Sequence, residues 1–396
     1  MERDESWGFS AGESTLRLPH FEEEGLVLTS LAVSPNDELL AVGGQLGDQA
    51  IIRIYANSDT GPNQLEEFLI ERAQSTVPKL IWLGDNTTLV AGLEFFSAEE
   101  MTQQIELRIF EKKAEGDEFE EKDPIGFEDD DSSLLSVKAD PSIRDKVWCL
   151  TSHIDIEFLE RKKIRRVIGK IRIVSLEQRS SEVAKKEISS PQALAVSEKN
   201  IALIKENQVL IFPNQSNENA SPSPLHLGEG EKLRGFSDCL ISDAEFSGED
   251  LILVGRKTRS IQVGGHLEDF FLASRTVGET TPSNNWEVHA GSSDEREWGR
   301  SVEVMTAGDG KKRILVTGNF NHRLRDTDPE KPESEIKAMT INSTQDGNVT
   351  DNPRLLTSKT SEASEYEGFL AMYEANGFLA WVQTTGFSGN DFMIDH

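Results

Sequence analysis

The sequence predicts an all-β protein built by repeating a short antiparallel meander, and three observations carry that reading. Short runs of β-branched and other apolar residues are bounded by Gly, Asn, Asp, Ser and Pro. The same phrase of runs and turns returns at intervals of roughly 50–60 residues, the range of four-stranded repeats with loop insertions. No long segment shows the apolar periodicity of a helix.

The first copy sets the phrase. Leu28–Val33 is an apolar run, Ser34, Pro35, Asn36 and Asp37 form a turn, and Leu39–Val42 is a second run broken at Gly43–Gly44. Ile51–Tyr55 follows, with Ile52 and Ile54 alternating against Arg53. Further copies start at Val77 (turning at Gly84–Asp85–Asn86, with QIELRIFEKK from Gln104) and near Leu134, which closes with IGKIRIVSLEQ from Ile168. Others start at Ala193, at Leu240 (turning at Ser247–Gly248–Glu249–Asp250) and at Arg300 (turning at Gly308–Asp309–Gly310). Trp82, Trp148, Trp286 and Trp381 sit beside strand runs and are expected to fill the spaces between neighbouring sheets.

Two resemblances follow from these residues. The segment Leu31–Tyr55 resembles a WD-repeat blade: Pro35, Asn36, Asp37 and Leu40–Ala41 match, Glu38 stands where glycine is usual, and no Trp-Asp or Gly-His pair frames it. The C-terminal third resembles the bacterial β-propeller-repeat family through Asp269, Phe271, Leu272, Ala273, Trp286, Gly291, Asp294, Ser301, Val302, Val304 and Val316–Thr317–Gly318. A partial second copy comprises Phe369–Leu370–Ala371, Trp381, Gly386 and Asn390–Asp391. The resemblance implies a β-propeller of six to seven four-stranded antiparallel blades, with seven favoured and one incomplete, occupying residues 1–396 as a single domain.

Two placements of the C-terminal tail stay open. It supplies the outer two strands of the sixth blade, with Phe392–Ile394 opening a seventh; or Ile336–Ser343 is the third strand of that blade and the tail a degenerate seventh. Pairing of the last strand with N-terminal residues such as Ser14–Leu18 would close the ring and remove an exposed edge. A fragment of a longer repeat protein is a further reading.

Insertions are expected near 112–133, 214–224, 323–335 and 345–365, where the chain turns acidic or polar. They account for much of the net charge of −29, from 41 Lys+Arg against 70 Asp+Glu. That charge disfavours a nucleic-acid or anionic-membrane partner and favours basic proteins. No run reaches the ~18–20 apolar residues of a membrane-spanning helix. The N-terminus MERDESWGFS shows no signal peptide, so a cytoplasmic location is expected. The five Asn-x-Ser/Thr sequons, at Asn86, Asn214, Asn219, Asn342 and Asn348, are then read as chance.

Chemistry is sparse. Glu128–Asp131 lacks the alternation and glycine of a calcium loop and reads as a solvated charge run. Glu94, His153 and Asn319 are candidate innermost-strand ends that a channel metal hydrolase would bring to the axis, yet the pattern does not show them converging. His266, His289 and His322 have no close partner at metal-ligand spacing. Cys149 and Cys239 make neither a disulfide framework nor a metal site alone. Neither P-loop nor dinucleotide fingerprint occurs, and Gly43–Gly44 and Gly264–Gly265 lack the helix that phosphate binding needs. The one strongly basic patch, Arg161–Lys163 with Arg165–Arg166, reads as an exposed hairpin connection able to meet an acidic partner or the protein's own acidic loops.

The expectation is therefore a non-enzymatic scaffold that binds a protein or peptide, including basic ones, on one propeller face, with no catalytic residue, cofactor or metal assigned. The alternatives are a metal-dependent lactonase- or esterase-like propeller with a central-channel site, and an extracellular surface repeat protein.

Overall fold

A computed structural model of the chain describes most of residues 26–384, together with the strands Gly8–Ala11 and Ser14–Arg17. Outside the description lie 1–7, 18–25, 57–62, 128–131, 160–161, 215–226, 261–265, 279–285, 292–296, 322–338, 350–353, 357–365, 385–396 and shorter stretches.

Among the described residues six antiparallel sheets built on four strands follow one another, each running inner to outer, and the chain crosses back once, from the second strand of the sixth sheet to the outer edge of the fifth, before completing the sixth. Blade 1 is Leu26–Val33, Leu39–Leu46, Gln49–Ala56 and Asn63–Ile70. Blade 2 is Thr76–Trp82, Thr88–Ser97, Thr102–Lys112 and Phe119–Glu121, with Ile125–Gly126 also on the third strand. Blade 3 is Ser132–Ala139, Lys146–Leu159, Lys162–Ser175 and Ser180–Ser189. Blade 4 is Pro191–Val196, Asn200–Lys205, Gln208–Pro213 and Glu231–Leu233. Blade 5 is Cys239–Ser247, Asp250–Ser260, His266–Thr276 and Glu287–Gly291, with Met339–Ile341 and Arg354–Leu356 added at its outer edge. Blade 6 is Glu297–Thr306, Lys312–Asn321, Tyr366–Glu374 and Leu379–Thr384.

Each inner strand coincides with one sequence copy, so all six starts hold. The described residues form six blades rather than seven, because Tyr366–Thr384 completes the sixth. Met339–Ile341 pairs with blade 5 instead of serving as a third strand of blade 6. Phe392–Ile394 lies outside the described residues. Ser14–Arg17 pairs with Gly8–Ala11, not with the last strand, so the expected N-terminal closure is not made by these residues. The segment 112–133, read as an insertion, holds the outer strand of blade 2. Three of its acids are engaged there: Asp117 with Lys112 at 2.8 Å, Glu118 with Lys113 at 2.6 Å, and Glu121 with Arg108.

A blade has two faces and buries each against a neighbour, which explains the gradient from apolar inner strands to polar outer ones. Leu39–Val42 is wholly buried, whereas outer strand NQLEEFLI is largely exposed. Five apolar clusters each span two adjacent blades, from blades 1–2 round to blades 5–6. Trp82, Trp148 and Trp286 belong to three of them, as expected, and each indole N–H is satisfied: by Ala32 O at 3.1 Å, Asp140 Oδ2 at 2.9 Å and Ala375 O at 3.0 Å. The side chain of Trp381 lies outside the description.

A bulge recurs in every inner strand against its second strand, at Leu28/Ser30, Thr76/Lys79, Leu134/Ser136, Pro191/Ala193, Ile241/Asp243 and Gly299/Ser301. Bulges bend a strand and raise its twist, as strands converging on an axis require. The bulged positions also stitch neighbours together. Ser30 Oγ donates to Val77 O at 2.6 Å, Ser136 Oγ to Leu194 O at 3.3 Å and Ser301 Oγ to Asp243 Oδ2 at 3.0 Å.

Candidate axial binding site

The six inner strands surround a cavity along the axis. Its wide chamber, about 850 Å³, opens at the turns between first and second strands, including Ser34–Pro35, Gly84, Asp140–Pro141, Ser197–Asn200 and Gly248–Glu249. A narrower chamber of about 220 Å³ lies toward the starts of the inner strands, lined by Thr29, Pro78, Leu134 and Gln192. Lys79 and Asp243 line both and mark the waist.

Side chains arrive here because the inner strands alternate, so that every second residue points to the axis. The wide chamber carries the carboxylates Asp140, Glu198, Asp243, Glu245, Glu249 and Glu303 against the cations Lys79, Lys138, Arg144 and Lys199. Several are committed to structure. Asp140 accepts from the Trp148 indole and from Ser142 N, and Lys199 pairs with Glu249 between blades 4 and 5. Asp243 accepts from Ala244 N at 2.8 Å and, through Oδ2, from Ser301 Oγ and Val302 N at 3.0 Å each, fastening blade 6 to blade 5.

Lys138 reaches from blade 3 to Glu245 of blade 5 at 2.5 Å. Burial alone would lower its pKa, but Glu245, Asp243 and Glu303 together hold it above the ordinary lysine range. Glu303, on blade 6, shares the cluster. Burial, reinforced by Glu245 and Asp243 and opposed by Lys138, pushes its carboxyl up to about 8. One lysine among three carboxylates leaves Glu303 largely protonated at neutral pH until another cation arrives.

The expected channel candidates lie elsewhere. Glu94, His153 and Asn319 occupy second strands of blades 2, 3 and 6, not innermost ends, and none lines the axial chambers. Glu94 accepts from Gln103 Nε2 at 2.7 Å and from the Leu134 amide, tying blade 2 to blade 3; burial raises its pKa. Asn319 accepts from Arg300 Nε at 3.0 Å. His289 pairs with Glu287 at 2.6 Å, on the outer strand of blade 5. Glu128–Asp131, His322 and Gly264–Gly265 fall outside the described residues, as does the His266 side chain. Cys149 and Cys239 are free and buried in different interfaces. Sequence reasoning missed Lys138, Glu245 and Glu303, whose only signal is their alternation on strand runs of separate copies.

No family model and no curated protein matches the chain. Many solved structures share its architecture. One, from work described as a structural and mechanistic analysis of two prolyl endopeptidases, is similar at TM-score 0.51 and 9% identity; the match covers 92% of this chain and 48% of that one. The β-propeller domain of the Trilobed protease from Pyrococcus furiosus matches at TM-score 0.45 and 12% identity, over 87% of this chain and 83% of that one. The Cps50 (Swd1) β-propeller domain from Myceliophteria thermophila matches at TM-score 0.44 and 9% identity, over 89% and 96%. The shared property is the fold. The described residues of the chain form a six-bladed β-propeller.

Proposed function

We propose that this propeller is a non-catalytic platform that holds a basic segment of a protein partner at the wide mouth of the axial cavity. The observation that carries the reading is the acidic cluster of Glu245, Glu303 and Asp243, which converges there from blades 5 and 6 around Lys138. An arginine or lysine entering beside Glu303 would complete the charge balance in a region of low dielectric, where such pairing is strongest. The chain's net charge of −29 would draw a basic segment toward the protein. In type, the blades are proposed to be WD-repeat-like, on the Leu31–Tyr55 phrase, and the C-terminal third to belong with the bacterial propeller repeats.

Calorimetric titration with a peptide of alternating arginine and glycine tests the proposal, with alternating glutamate and glycine as control. Binding of the basic peptide alone is expected, weakened roughly tenfold or more by Glu303→Lys, since removing one buried charge pair typically costs over 1.4 kcal/mol. Equal affinity of that variant would contradict the site, and cleavage of the peptide during titration would contradict the non-catalytic reading.

A further inference from the structure

At the opposite end of the ring the second and third strands of blade 3 run far beyond their sheet. Each has 14 residues, against 6 in the matching strands of blade 4. The inner strand stops at the Ser132–His153 pair and the outer strand at Ile168–Ser189. Six further pairs, Ile154–Val167 through Leu159–Lys162, project as a two-stranded ribbon. At 3.3–3.4 Å per residue the ribbon reaches roughly 20 Å past the sheet. A ribbon of two strands is marginal in water unless something covers it.

Its two faces differ. Cross-strand partners share a face, so Ile154 lies with Val167 and Ile156 with Arg165, while Asp155 lies opposite Arg166 on the other side. The first face exposes Ile154 at 58%, Ile156 at 43% and Val167 at 40%. Among the described residues Ile154–Val167 is the only cross-strand pair of exposed large apolar side chains. Arg165 is exposed beside them and makes no ion pair among the described residues. Charge along a free edge is a common guard against aggregation. That role explains the run Arg161–Arg166 but not the three apolar residues, which a guard would replace with charge.

We propose that this ribbon face is a second docking surface, taking an extended protein segment with alternating apolar and acidic side chains. The segment adds as a strand along the free ribbon edge, where backbone hydrogen bonds supply affinity and alternate side chains meet one face. Its apolar residues cover Ile154, Ile156 and Val167, and its carboxylates pair with Arg165. Acid is the favoured sign because the sequence Arg161–Arg166 concentrates five cations in a chain of net charge −29.

Fluorescence anisotropy with a labelled peptide of alternating glutamate and leucine tests this, with alternating lysine and leucine as control. The acidic peptide is expected to bind, roughly tenfold more weakly to Arg165→Glu and to Ile154→Ser/Ile156→Ser, and near wild-type strength to Arg165→Lys. These side chains are exposed, so both variants should keep the wild-type melting temperature and their affinity for the arginine–glycine peptide at the axial cavity. Three outcomes would overturn the proposal: no binding of the acidic peptide, equal binding of the basic one, or self-association of the wild type that Ile154→Ser/Ile156→Ser abolishes. The last would assign the face to a second copy of the chain.

Discussion

Single residues carry the clearest chemistry. Glu303 has a raised pKa in the folded protein, so the native state binds a proton that the unfolded chain releases above its ordinary 4.5. Its contribution to stability is fully present below about 4.5 and is lost as pH rises toward about 8. Glu303→Gln should flatten that part of the stability–pH profile, measured by urea unfolding between about pH 5 and 9, which brackets the value of about 8. An unchanged slope would mean that the carboxyl is not held protonated. Glu287 behaves oppositely. Although burial opposes it, His289 and Lys257 hold its carboxyl well below the ordinary range, so its support is lost only as pH falls. The cysteines are inert for a related reason. Burial pushes the Cys239 thiol up to about 12 and likewise raises that of Cys149. Neither should react with a thiol reagent in the native protein, and both should react in denaturant. None of these environments was legible in the sequence, because each is created by side chains from different copies of the repeat.

Strands and turns were far more legible. Apolar runs and turn residues are local signals, so the inner strand of every blade coincides with a sequence copy. Outer strands were harder. Phe119–Glu121 lies in a stretch so acidic that it reads as a loop, because an outer strand needs little burial and its charges pair along the surface. The bulges left no regular residue signature, since Ser30, Lys79, Ser136, Ala193, Asp243 and Ser301 serve the same geometry. Some glycines of the adjoining strands do record it. A Cβ on Gly255 would sit 2.1 Å from Leu240 O and 2.8 Å from Ile241 Cα, both backbone atoms of the blade 5 bulge. Gly255→Ala should therefore cost about 1–3 kcal/mol, the scale of an overpacked core, read as a lower urea midpoint. Wild-type stability in that variant would show that the bulge yields freely.

At the scale of the whole molecule, five interfaces share continuous apolar clusters while the joint between blades 6 and 1 is built differently. Leu40, Val42 and Tyr55 cluster within blade 1, and Leu315, Leu370 and Met372 within blade 6, among the described residues. No described sheet combines strands from both chain ends. Sub-global opening should begin at this seam. Hydrogen exchange is expected to release the amides of Leu26–Val33 before those of Cys239–Ser247, and the reverse order would place the weakest joint elsewhere. The count of blades was only bounded by the sequence, because the tail fits either placement until the pairing of Tyr366–Glu374 with Lys312–Asn321 is known. The acidic balance visible in the composition proved to be shared between the rim and the axis, where Glu245 and Glu303 meet Lys138. The most direct measurement of the central claim is the affinity of the arginine–glycine peptide as a function of pH. A guanidinium beside Glu303 displaces its proton, so affinity should rise with pH and level off above about 8, with the rise absent in Glu303→Gln. An affinity independent of pH in the wild type, or the same rise in the variant, would contradict the axial site.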